Sequence, residues 1–173
     1  MRKGKILLVI DLQDDFKVSP YYEKINKFIK EHKKDYKKVL YVYFYNQNSN
    51  KNFKRYLKWD NKGVSNTFLL SHFNTAKYLY KSGYGLDYMY LNHLDKEYTY
   101  DLVGCDIDSC VMAIAFNLWD SNYHFRILTD YCYSSGGDEY KKSSVLIMKR
   151  NFGSAVVCKK EVEASSDLPQ KET

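Results

Sequence analysis

A chain of 173 residues, 45% apolar and 28% charged, carries enough apolar material for one buried core and too little length for two ordinary domains. Its formal charge of +6 raises nucleic-acid binding, but much of it sits on Lys24, Lys27, Lys30, Lys33, Lys34, Lys37 and Lys38. The first of these alternate with Tyr22, Ile25, Phe28 and Ile29 at helical spacing, the pattern of a solvated helix face. No zinc-finger spacing, RNP-like segment or basic-zipper heptad accompanies them, so a nucleic-acid partner is not expected. The 18 tyrosines, found with abundant Lys and Asn, read as codon bias rather than as an aromatic surface.

The elements follow in chain order. Ile6-Leu7-Leu8-Val9-Ile10 is a short branched apolar run, the mark of a strand buried on both faces. It ends in Asp11, too early for a signal peptide's apolar region or a membrane span. A helix over 21–36 and a strand over 39–45 come next. The stretch 46–61 is polar, with Phe53, Leu57 and Trp59 as its anchors. Strand 76–80, helix 86–94, strand 98–103 and helix 110–121 continue the alternation. Strand 124–128, helix 139–150 and a short strand 155–158 complete it. Residues 161–173 are polar and read as a disordered tail after a single domain over 1–160.

Alternating strands and helices predict an α/β fold: three layers, α/β/α, around a mostly parallel sheet of about six strands. Cys105, Cys110, Cys132 and Cys158 form no CxxC pair and follow no secretory signal, which points to a reduced, cytoplasmic, soluble protein.

Ligands of parallel sheets bind beyond the carboxyl ends of the strands. That edge collects Asp11 after the first strand, Asn46 after the second, Lys81 after the third and residues 104–110 after the fourth. Asp11 is placed to act as a general base or as a turn cap. Cys110 stands where a loop enters a helix, and orphan N–H groups there favour a thiolate and can receive an oxyanion. The alternative for Cys110 is a small buried apolar residue. Lys81 either reaches the same crevice or is one more surface lysine.

The three residues together carry a specific resemblance. Val9-Ile10-Asp11-Leu12-Gln13-Asp14-Asp15-Phe16 and Val103-Gly104-Cys105-Asp106-Ile107-Asp108-Ser109-Cys110-Val111 are similar to the two signature segments of the isochorismatase-like cysteine hydrolases. Leu128-Thr129-Asp130-Tyr131-Cys132 and Ser134-Ser135-Gly136-Gly137 continue the similarity, which spans roughly 5–158. The resemblance implies a catalytic triad of Asp11, Lys81 and Cys110 and a non-proline cis peptide at Cys105–Asp106. It also implies an oxyanion hole from the Asp106 and Cys110 N–H groups. Lys81-Ser82-Gly83-Tyr84-Gly85 fits the family's lysine motif with Gly85 at a serine position. Lys77 offers a second register, less suitable because it falls inside the predicted strand. Asp106 departs from the small residue usual there, and an acidic side chain would repel anions or alter the hole.

The family's nicotinamidases bear a metal-binding Asp-x-His pair where this chain has Asn46-Gln47-Asn48. His32, His72, His93 and His124 are scattered, so neither a metal nor a cofactor is expected. Phe16, Asn46, Trp59 and Tyr84 are the expected substrate-binding residues. The resemblance thus implies a cysteine hydrolase that cleaves a C–N bond of a small amide through a thioester. The alternative is a vestigial site in a small-molecule or protein-partner binding module. Homo-oligomers are common in the family, but no interface motif in the sequence independently supports one here.

Overall fold

The computed structural model describes residues 2–16, 21–46, 49–60 and 77–159. Its strands are β1 (Gly4–Ile10), β2 (Lys38–Phe44), β3 (Lys77–Lys81), β4 (Tyr98–Cys105), β5 (His124–Tyr133) and β6 (Val157–Cys158). Its helices are α1 (Tyr21–His32), α2 (Asn52–Leu57), α3 (Tyr88–Asn92), α4 (Cys110–Asp120) and α5 (Asp138–Phe152). The strands form one parallel sheet in the order β3-β2-β1-β4-β5-β6. The predicted tail and residues 61–76 lie outside the described residues, as does His72.

Successive strand residues point to opposite faces, so β1 feeds two cores at once. Leu7 and Val9 join Tyr22, Ile25, Phe28 and Ile29 of α1 on one face. Ile6, Leu8 and Ile10 join Leu91 of α3, Val111, Ile114 and Leu118 of α4, and Met148 and Phe152 of α5 on the other. Ile6 to Ile10 are each at most 4% exposed. Burying side chains of this size contributes about 1.5–3 kcal/mol apiece, which makes β1 the fold's axis. The seven lysines of 24–38 are all exposed, as a solvated face requires. Among the described residues no helix is long and apolar enough to cross a membrane.

Several elements depart from their sequence-based bounds, and for three of them the structure gives the cause. Helix α1 stops at His32, whose ring pairs with Asp35 at 2.9 Å, and a 3-10 turn over Lys33–Asp35 follows. The backbone at Tyr36 is then extended, which brings its hydroxyl to Asp101 at 3.0 Å. The polar stretch after β2 contains the short helix α2, pinned by buried Phe53, whereas Leu57 is largely exposed.

Strand β5 runs past its expected end at Leu128 to Tyr133. The polar pair Thr129-Asp130 reads as a turn in sequence. In the fold, the Thr129 hydroxyl donates to Cys158 O at 2.9 Å and the Asp130 N–H to Lys159 O at 3.2 Å. The strand therefore leans onto the β6 side over these residues and returns to β4 at Cys132.

Ile10 of β1 and Gly104 of β4 are register partners at the carboxyl edge. A Cβ on Gly104 would stand 2.0 Å from Ile10 O, and its φ of +122° is one that L side chains rarely adopt. Gly104→Ala is expected to cost about 3 kcal/mol or more. Thermal denaturation should then show a Tm lowered by roughly 6–12 °C for a chain of this size.

Candidate active site

Asp11 follows β1 in the left-handed region, at φ +48°, a conformation that Asp tolerates better than branched residues. Its backbone is tied on both sides. The Asp11 N–H donates to Val42 O at 2.9 Å, and its carbonyl accepts from Gln13 N at 2.8 Å and from the Cys105 thiol at 3.2 Å. Burial raises the Cys105 pKa well above its ordinary value, so this thiol stays a donor. The Gln13 side chain donates to Phe44 O at 3.1 Å and accepts from Phe44 N at 2.8 Å, adding one rung between the ends of β1 and β2. Gln13 stands inside the first signature segment, but the segment alone assigns it no role, and this rung was not anticipated.

Lys81 ends β3 and is only 1% exposed. Its ammonium donates to Asp11 Oδ2 at 2.8 Å, Gly83 O at 3.0 Å and Cys110 Sγ at 3.3 Å, which uses all three of its protons. The Phe44 ring lies 5.3 Å away. Burial opposes the charge, but Asp11 and Cys110 more than offset it, and the Lys81 pKa is raised. Lys77 opens the same strand opposite Leu40. That position is four residues back, about 13 Å at strand rise, so Lys81 is the lysine at the thiol.

Cys110 is the first residue of α4. Burial pushes its thiol up to about 12, with Asp11 adding to the rise and Lys81 opposing it. Burial thus works against the thiolate that a helix start favours, while Lys81 works for it. Burial also raises the Asp11 pKa, against the pull of Lys81 and Cys110. Asp11 Oδ1 is buried and has no hydrogen-bond partner among the described residues.

The Cys105–Asp106 peptide is cis. The Asp106 carbonyl accepts from Ser109 N at 3.1 Å and Val111 N at 3.0 Å, curling the loop around Cys110. Among the described residues the Asp106 and Cys110 N–H groups make no such turn bond. The Asp106 carboxylate is turned onto the next loop, where it accepts from Ser135 N at 3.0 Å and from the Ser135 hydroxyl at 2.5 Å. Burial raises its pKa while Ser135 lowers it.

A cavity of about 480 Å³ opens over Asp11 and Cys110. Of the expected substrate-binding residues, Phe16, Trp59 and Tyr84 line it. Asn46 does not. Its amide donates to Asn50 O at 2.8 Å and its carbonyl accepts from Asn50 N at 2.9 Å, so its polar atoms hold a turn. Tyr133, in the half of β5 that the sequence hides, and Ser135, in the turn after it, also line the cavity and were missed. Among the described residues no group of three or more His, Cys, Asp and Glu is placed to hold a metal ion.

No family model matches the chain, and no curated protein matches it in sequence. Solved structures do match in shape. The nicotinamidase from Bacillus subtilis superposes with a TM-score of 0.67 at 16% identity, covering 87% of this chain and 97% of its own. N-carbamoylsarcosine amidase from Thermoplasma acidophilum gives 0.67 at 20%, covering 93% and 99%. An isochorismatase-like hydrolase from Alkaliphilus metalliredigens gives 0.66 at 17%, covering 90% and 93%. These likenesses show the fold, a parallel α/β sheet. It is the isochorismatase-like fold.

Asp11→Asn removes the negative neighbour of the thiol and leaves Lys81 in place, so the Cys110 pKa should fall from about 12. The check is the pH dependence of Cys110 alkylation by iodoacetamide, followed by intact mass. Its midpoint is expected at lower pH in the variant, and an unchanged midpoint would mean that Asp11 does not bear on the thiol.

Proposed function

We propose that this protein is an isochorismatase-like cysteine hydrolase that cleaves the C–N bond of a small amide or related carbonyl compound. The observation that carries the reading is the buried Oδ1 of Asp11, not engaged by Lys81 and set beside a thiol whose pKa burial raises, both groups being held by one ammonium at 2.8 and 3.3 Å. A raised thiol pKa calls for a base in place at the moment of attack, and such a carboxylate oxygen is a base in that place.

Asp11 takes the Cys110 proton as Sγ bonds to the carbonyl carbon. The carbonyl π electrons move to oxygen, and the oxyanion is received by the N–H groups of Asp106 and Cys110. The C–N bond then breaks, the amine leaves with the proton from Asp11, and a thioester remains. Water, deprotonated by Asp11, attacks the thioester. The acid departs and Cys110 recovers its proton. Lys81 keeps its charge throughout and offsets the negative charge that passes between Asp11 and Cys110.

The rival, a vestigial binding module, draws on the carboxylate at Asp106 and on the two registers for the lysine. The Asp106 carboxylate is bound by Ser135 and Lys81 stands at the thiol, and both weaken that rival.

The test is amine or ammonia release from small amides, ureides and nicotinamide by the native protein and by Cys110→Ala. On any substrate found, Cys110→Ala should lose about 10³-fold or more in kcat, and a stopped reaction should show an acyl mass on Cys110. Full turnover by Cys110→Ala would falsify the nucleophilic scheme. Asp11→Asn should lose turnover on a similar scale even though its thiol is easier to ionise, which separates the role of base from that of pKa setting.

A further inference from the structure

The charge on the cavity wall bears on which amides fit. Besides Asp11, the described lining residues include the carboxylates Asp15, Asp106 and Asp108, and no lysine, arginine or histidine. The ammonium of Lys81 is consumed by Asp11, Gly83 and Cys110, so it offers no proton to a second anion. Asp106 is bound by Ser135. Asp108 differs: it is partly buried, and its Oδ1 is buried without a hydrogen-bond partner among the described residues.

A group of carboxylates alone would mark nothing, but two other features point to a ligand in the same space. One is the Oδ1 of Asp108, which no donor among the described residues satisfies. The wall is also aromatic and continuous. Phe16 stacks on Trp59 at 6.1 Å, Trp59 meets Phe44 at 5.3 Å and Phe53 at 5.4 Å, and Phe53 meets Tyr84 at 5.0 Å. Aromatic faces attract cations, and most strongly where the site is partly desolvated. Positive side chains do stand nearby, in a recess along α2 that shares Phe53 and Trp59 with the cavity and is also lined by Lys51, Lys54 and Arg55. There Lys54 pairs with Asp60 at 3.0 Å and the Arg55 guanidinium lies over Tyr56.

We propose that the cavity takes small amides bearing a cationic group, an ammonium or guanidinium, with Asp108 selecting that group and the Phe16–Trp59 wall lying against it. The inference rests on the hydrolase reading for the word amide, and on the wall itself for the word cationic.

The experiment measures binding of three matched probes, para-(aminomethyl)benzamide, para-methylbenzamide and para-carboxybenzamide, to Cys110→Ala by calorimetry. The cationic amide should bind about tenfold tighter than the neutral one, with the anionic one weakest, and added salt should shrink the difference. Asp108→Asn in the same background should bring the cationic-to-neutral ratio close to one. Asp15→Asn, on a different element, should move the ratio the same way and serves if the first variant does not fold. Equal or tighter binding of the anionic probe, a ratio untouched by Asp108→Asn, or no binding of any probe overturns the proposal. Ammonia release from the same three amides by the native protein reports on the other reading. Cation-selective binding without release would keep the selectivity and discard the hydrolase, whereas release without charge preference would do the reverse.

Discussion

One ammonium group organises the carboxyl edge of this sheet. Lys81 is buried, and a lone cation in such a place would cost several kcal/mol, so it persists only with its partners around it. Those partners come from the turn after β1, the loop after β3 and the start of α4. The order β3-β2-β1-β4 sets the lysine two strands from the carboxylate and three from the loop of the thiol. A long, flexible side chain is what spans that distance, and a shorter base could not touch both groups.

The backbone around it is shaped to let the partners approach. Gly104 removes the Cβ that would strike Ile10, and Asp11 turns through the left-handed region immediately after Ile10. Gln13 then completes the contact to β2 with a side chain that imitates a strand's own hydrogen bonds. The same compactness sets the chemistry. Burial raises the thiol's pKa, which favours the proton that the nearby carboxylate would receive.

Much of this was legible in the sequence, for identifiable reasons. The apolar run Ile6 to Ile10 has no other use than a doubly buried strand, and its end fixes Asp11 at the crevice. The cis peptide at Cys105–Asp106 came with the resemblance, not from any pattern in composition. The resting state of Cys110 was not legible, because position at a helix start says nothing about how deeply the thiol is buried. The reach of β5 was hidden as well. Thr129-Asp130 is locally a turn pattern, and only the partners Cys158 and Lys159, about thirty residues on, make it a strand. Asn46 was placed in the pocket by analogy, whereas its amide closes its own loop.

The detour of β5 has a consequence for how this fold could change by insertion. Between Leu102 and Gly104 the partner strand advances from Ile127 to Cys132, so a surplus of chain is stored as a bulge beside the cavity. Side chains in a strand alternate faces, and a gain or loss of one residue within that bulge would invert every side chain after it. Tyr133, the last residue of β5, whose hydroxyl donates to Phe16 O at 2.7 Å, would leave the cavity. The wall of the pocket is thus written in the length of a strand as much as in its residues. Lineages sharing the reactive trio could acquire different pockets by a single codon's indel there.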